Sequence, residues 1–115
     1  MTTIFERAAA ALAGLDVPYA NGAYVTSTGA ELPDLFITYA MIIDRPAQHA
    51  DDRETLRRQR VQVSVFCRDG LVGLSDVDTA MRAAGFMPGA RYQMPYERET
   101  GHWGLACEYT YLEDV

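Results

Sequence analysis

His49, Asp51 and Asp52 bring an imidazole and two carboxylates together in one short stretch, the residue types that hold a divalent metal. A closed site would need a further His or Cys at ligand spacing. None lies near, so the three read as part of a solvated, charged segment. Cys67 and Cys107 could form a redox pair, but no C-x-x-C spacing is present. Both fall among valines and aromatics and read as buried structural thiols. Ser64 and Ser75 have no G-x-S-x-G context and no His at a recognisable spacing. Gly70, Gly73 and Gly85 lack both the lysine of a phosphate-binding loop and the spacing of a dinucleotide fingerprint. Tyr92, Tyr96, Tyr109 and Tyr111 could stack nucleobases. With Glu97, Glu99 and Glu108 around them, they read instead as cross-strand packing. His102, at the start of the last strand, reads as exposed and carries no role alone. The residues thus suggest no catalytic site, no cofactor and no metal, and favour assembly over catalysis.

The elements that position these residues fit in one domain spanning 1–115, because 115 residues are too few for two. Hydrophobic residues make up 49%, enough for a core. The net charge of -6 argues against tight binding of free double-stranded DNA, which needs a basic face. Met1-Thr2-Thr3 does not open a signal peptide, and no apolar run approaches the roughly 20 residues of a membrane helix. A cytoplasmic, reduced protein without a membrane partner is the expectation.

Thr3 and Glu6 have capping-box spacing, and Ile4, Phe5, Ala8, Ala11, Leu12 and Leu15 share one helical face. Gly14 and Pro18 end that helix. Asn21-Gly22 is a turn, and residues 23–28 read as a short strand. Residues 35–43 are apolar on both faces and read as a strand covered on both sides. In residues 60–68, Val61, Val63, Val65 and Cys67 face one way, and Gln62, Ser64 and Phe66 the other. A second helix is expected after Asp69-Gly70, burying Leu71, Leu74, Val77 and Met81 and stopping at Gly85. Residues 91–97 and 103–112 form a final hairpin about Thr100-Gly101. The order is α-β-β-β-α-β-β. The class is α+β: a mostly antiparallel sheet of about four to five strands with two helices on one face.

Residues 44–59 break the apolar pattern. They read as a long charged loop, an inter-strand arm nearly devoid of apolar anchors, and long loops in compact domains tend to be functional or mobile. His49, Asp51, Asp52, Arg53, Glu54, Arg57 and Arg58 are the candidate subunit-interface residues. Their mixed charges suit head-to-tail pairing between copies.

Several stretches resemble the tail terminator, or tail completion, proteins of long-tailed bacteriophages. These are the strand at 35–43 running into Asp44-Arg45-Pro46-Ala47-Gln48-His49-Ala50-Asp51-Asp52, the strand Arg60-Val61-Gln62-Val63-Ser64-Val65-Phe66, a short helix ending in Gly85-Phe86, and the acidic hairpin Tyr96-Glu97-Arg98-Glu99-Thr100-Gly101-His102-Trp103 leading to Glu108-Tyr109-Thr110-Tyr111. The similarity covers most of the chain from about Leu35 onward. It implies a non-enzymatic virion protein of the tail or neck, made in the bacterial cytoplasm. Such proteins form a hexameric ring that ends tube polymerisation and gives the head connector a docking surface. The implied partners are copies of the chain, the tail tube protein and head-connector or neck proteins, with DNA only passing through the lumen. Two alternatives stand beside it: another small neck or minor tail protein, such as a head-closure protein, or a small dimeric α+β ligand-binding protein or enzyme.

Overall fold

The computed structural model describes residues 2–24, 31–50, 53–70 and 76–114. Helix α1 (Ile4–Ala13) starts on the expected capping box: Thr3 Oγ1 accepts from the Glu6 backbone N–H at 3.1 Å, and Glu6 Oε1 accepts from Thr3 N–H at 3.4 Å. Ile4, Ala8 and Leu12, four residues apart, are its buried stripe, and the alanine lets the helix lie close on the sheet. Phe5, expected on that face, is instead 37% exposed, because it sits one position round the helix from the stripe.

The first strand, β1, is Tyr19–Asn21, earlier than the expected 23–28, of which residues 25–30 lie outside those described. Then come β2 (Leu35–Ala50), β3 (Arg53–Cys67), α2 (Val77–Ala83), β4 (Met87–Glu97) and β5 (His102–Asp114). They form a five-stranded sheet in the order β1-β2-β3-β5-β4. Only β1–β2 is parallel; every other pairing is antiparallel. The expected α+β class and element order therefore hold. α2 begins at Val77 rather than just after Gly70, and Leu71 and Leu74 lie outside the described residues. Gly85 ends it with φ 94°, while the Phe86 N–H reaches back to Met81 O at 3.0 Å.

One face of the sheet carries both helices. Ile37, Tyr39, Val61, Val63, Val65, Cys107 and Tyr109 pack there against Ile4, Ala8, Leu12, Val77, Met81 and Phe86. Val63 is 0% exposed, as the alternation of β3 requires. Among the described residues, the other face carries no helix. At one end it holds a small aromatic cluster: Phe36 stacks on Phe66 at 4.9 Å, and His102 meets Phe36 edge-on at 5.0 Å. Gly104 is the floor of that cluster, since a Cβ there would fall 2.6 Å from Met94 Cε and 3.2 Å from the Phe66 ring. His102 is thus buried, at 2% exposure, rather than exposed as expected. It shares a face with Gly104 and is enclosed by aromatic neighbours from other strands, and its Nε2 donates to Pro33 O at 2.8 Å.

β2 is covered on both faces only in its first half. Phe36, Ile37 and Tyr39 are buried, but Met41 and Ile42 are 40% and 48% exposed. Among the described residues, no helix is long and apolar enough to cross a membrane.

Candidate assembly surface

Residues 44–59, expected to be a loop, are mostly strand. β2 continues to Ala50, and β3 begins at Arg53. The register pairs Asp44 with Gln59, Arg45 with Arg58, Pro46 with Arg57 and Ala50 with Arg53. The backbone groups that face across the hairpin are met by the ladder, which holds the segment without apolar anchors. Register shifts at Met41/Ile43 and around Gln48 twist the hairpin. The inner half of the arm also pairs with β5, Leu56 opposite Asp114 and Gln59 opposite Tyr111. The outer half, from Gln48 and His49 to Ala50, pairs only with its own hairpin partner. The molecule extends 54 × 28 × 24 Å. Its radius of gyration is 15.6 Å, against about 13 Å for a compact chain of roughly this size.

The candidate interface residues divide into four groups. His49 lies in β2 opposite Glu54, and Arg53 opens β3. Asp51 and Asp52 lie outside the described residues. Glu54 and Arg57 satisfy each other: Arg57 Nε donates to Glu54 Oε1 at 2.8 Å and Nη2 to Oε2 at 2.7 Å. Arg57 Nη1 also donates to Asp44 Oδ1 at 2.7 Å, and Gln59 Nε2 to Asp44 Oδ2 at 3.2 Å. The Arg57 hydrogen bond holds the Asp44 carboxyl below its ordinary range, with Gln59 adding to the effect. Bonds to Glu54 and then Asp44 raise the Arg57 guanidinium in turn. Arg57 is therefore an internal tie of the arm rather than a free interface charge.

Arg58 points the other way. It is exposed and stands directly opposite exposed Arg45, with Arg60 two residues on along the same face. Like charges directly opposite one another in a sheet are unfavourable. Among the described residues, the acidic contact to this strip is Glu108, 3.8 Å from Arg60. The arm thus has a self-paired face toward α1 and an under-neutralised basic face opposite. Asp44 and Arg45 could not be assigned these roles from sequence, because their partners lie 13 positions away and follow only from the hairpin register.

Among the described residues, the other chemistry-bearing side chains are engaged mostly in packing or in hydrogen bonds with one another. A cavity of about 230 Å³ beside α2 is lined by Asp78, Arg91, Cys107 and Tyr109, among others. Asp78 is already satisfied by Arg82 at 2.7 Å, Arg91 at 3.1 Å and the Tyr109 hydroxyl at 3.2 Å. Burial pushes the Cys107 thiol and the Tyr109 hydroxyl up, away from nucleophilic use. Cys67 is half-buried and faces Trp103, four residues along β5 from Cys107, so the two free thiols sit too far apart for a disulfide. Tyr92 donates to Gln62 Oε1 at 2.8 Å, Tyr96 packs on Trp103, and Tyr111 lies under Arg7. No cluster of three or more His, Cys, Asp or Glu suited to a metal ion occurs among the described residues. The chain matches no protein-family model, and no curated protein matches it.

Proposed function

We propose that this chain is a structural subunit that assembles with copies of itself into a ring. The ring is of the kind that closes the end of a phage tail tube, stops its growth and receives a head connector or other neck protein. DNA passes through its lumen without being held. The observation that carries this reading is the arm. Strands β2 and β3 run on past the helix-covered body as a paired hairpin that presents Arg45 and Arg58, exposed and opposite one another, on one face. An isolated domain gains little from such an extension, because it buries little apolar surface. A neighbour gains a preformed ladder and a basic strip to dock against, which lowers the ordering cost of association.

A ring needs a heterologous contact, in which two different patches meet and the rotation closes. Arg45, Arg53 and Arg58 on one copy and acidic residues such as Glu97 and Glu99 on the next would supply unlike patches. Electron microscopy of concentrated protein tests the reading. Closed rings of one size support it; particles no larger than a single chain, at every concentration and at low salt, would refute it. An Arg58→Glu, Arg45→Glu double variant should fold normally and assemble poorly, and assembly should weaken as salt rises.

A further inference from the structure

Among the described residues the sheet has two open edges, and their geometry fits one to the other. β1 pairs only with Ile37, Thr38 and Tyr39 of β2. Ile37 N–H donates outward to Pro18 O, and Tyr39 O accepts from Gly22 N–H. By the two-residue repeat of a strand, the backbone N–H and C=O of Met41 also point outward. Among the described residues nothing meets them. At the far side, β4 is the last strand, paired only with β5, and almost every residue of it is exposed.

Prolines bound both edges, since proline cannot donate to a ladder. On β2, residues 40–45 lie between the end of β1 and Pro46; on β4, residues 89–94 lie between Pro88 and Pro95. Each window is six residues long. Successive pairings along β2-β3-β5-β4 are antiparallel, so β2 and β4 run in opposite directions. A copy placed alongside by a rotation that preserves strand direction would therefore set its β4 antiparallel to this β2.

Side-chain faces then select the register. Met41 lies on the helix-bearing face, opposite Val61, as does Gln93, opposite Leu105. Ile43, opposite Arg60, and Tyr92, opposite Ala106, both lie on the open face. With Ile42 taken up by the bulge, Met41 meets Gln93, Ile43 meets Tyr92 and Asp44 meets Arg91. That register creates one β-branched–aromatic pair, favourable across strands, and brings Asp44, already tied to Arg57, beside Arg91, already tied to Asp78.

We infer that β2 residues 40–45 of one copy pair antiparallel with β4 residues 89–94 of the next, joining the sheets head to tail. This rests on the reading of the chain as self-assembling and names the surface that does it. Two unlike edges generate a ring or an open chain of copies, whereas pairing of like edges would stop at a two-fold dimer.

The test is a Met41→Cys, Gln93→Cys double variant of the full chain, oxidised after assembly, beside each single variant and the unmodified protein. Residues directly opposite in a ladder sit close enough for a disulfide. Only the double variant should yield covalent multimers larger than a dimer. Ile42→Lys, placed at an exposed position on the open edge, should fold normally and weaken assembly about tenfold or more. Assembly of the unmodified protein without cross-linking of the double variant overturns this inference and leaves the self-assembly reading standing. So does a disulfide dimer formed by either single variant alone, which would mean that like edges pair. An unmodified protein that stays monomeric overturns both.

Discussion

The strands β2 and β3 are one hairpin with two regimes. Near Ile37 and Val63 they are apolar on the helix side and buried to 0% exposure. Near Asp44 and Arg57 they are held by a cross-strand ion pair at 2.7 Å, with both side chains partly in solvent. The ladder is continuous apart from bulges, so backbone pairing alone does not distinguish them. What differs is the source of stability. The body closes on itself, since burial of its valines, Leu12 and Met81 needs no other molecule. The arm is shaped without being closed: its ion pairs set its geometry, and partly exposed pairs contribute little to folding. Where a chain builds ordered surface that does not stabilise its own fold, a partner is the natural beneficiary.

The comparison breaks most severely at the body. Val63→Asp should abolish folding, because an unpaired charge at a fully buried position costs several kcal/mol. A soluble variant with an unchanged urea midpoint would mean the faces of β3 are reversed. Leu12→Ala, also at 0% exposure, should cost about 2–5 kcal/mol by denaturant titration.

Arg57→Ala should act on the arm alone. Hydrogen exchange should quicken in residues 44–50 and 53–57, while the amides of Val61, Val63 and Val65 keep their protection. Equal loss in both regions would show that the arm and body fold as one unit. Acid should have the same local effect. The Asp44 pKa is lowered in the folded chain, so its contribution is present above the ordinary value of 3.8 and is lost as pH falls through the lower folded value. Asp78, lowered chiefly by Arg82, loses its contribution in the same direction on the α2 side. Protection of the arm amides, taken relative to their intrinsic exchange rate at each pH, should therefore fall below about pH 4 before the β3 core loosens. The smallest effect is expected at Arg45→Glu, which turns a repulsive pair with Arg58 into an attractive one. Monomer stability should rise by no more than about 0.5 kcal/mol.

Much of the body was legible in the sequence, because burial leaves a periodic signature. The Thr3–Glu6 cap, the Ile4-Ala8-Leu12 stripe and the alternation of Val61, Val63 and Val65 are each local patterns with a local cause. The arm was not legible as strand, since residues 44–46 and 50 are exposed and leave no two-residue period of apolar side chains. Their strand character comes from pairing with residues 53–59 across the hairpin, a register that composition does not reveal. His102 failed for a related reason. Its burial depends on Phe36 and on Pro33, 69 positions upstream, and a lone His between a turn and a tryptophan carries no sign of them. Composition singled out the charged segment that holds the candidate interface residues. It could not separate Arg57, tied inward, from Arg58, turned outward, because only the register sorts them.

The most direct measurement is sedimentation velocity of the full chain over a wide concentration range at low and high salt. Self-assembly through an outward basic arm and unlike sheet edges gives a single discrete multimer at high concentration, larger than a dimer and receding as salt rises. A sedimentation coefficient that stays at the single-chain value throughout, at low salt and the highest concentration, would contradict it.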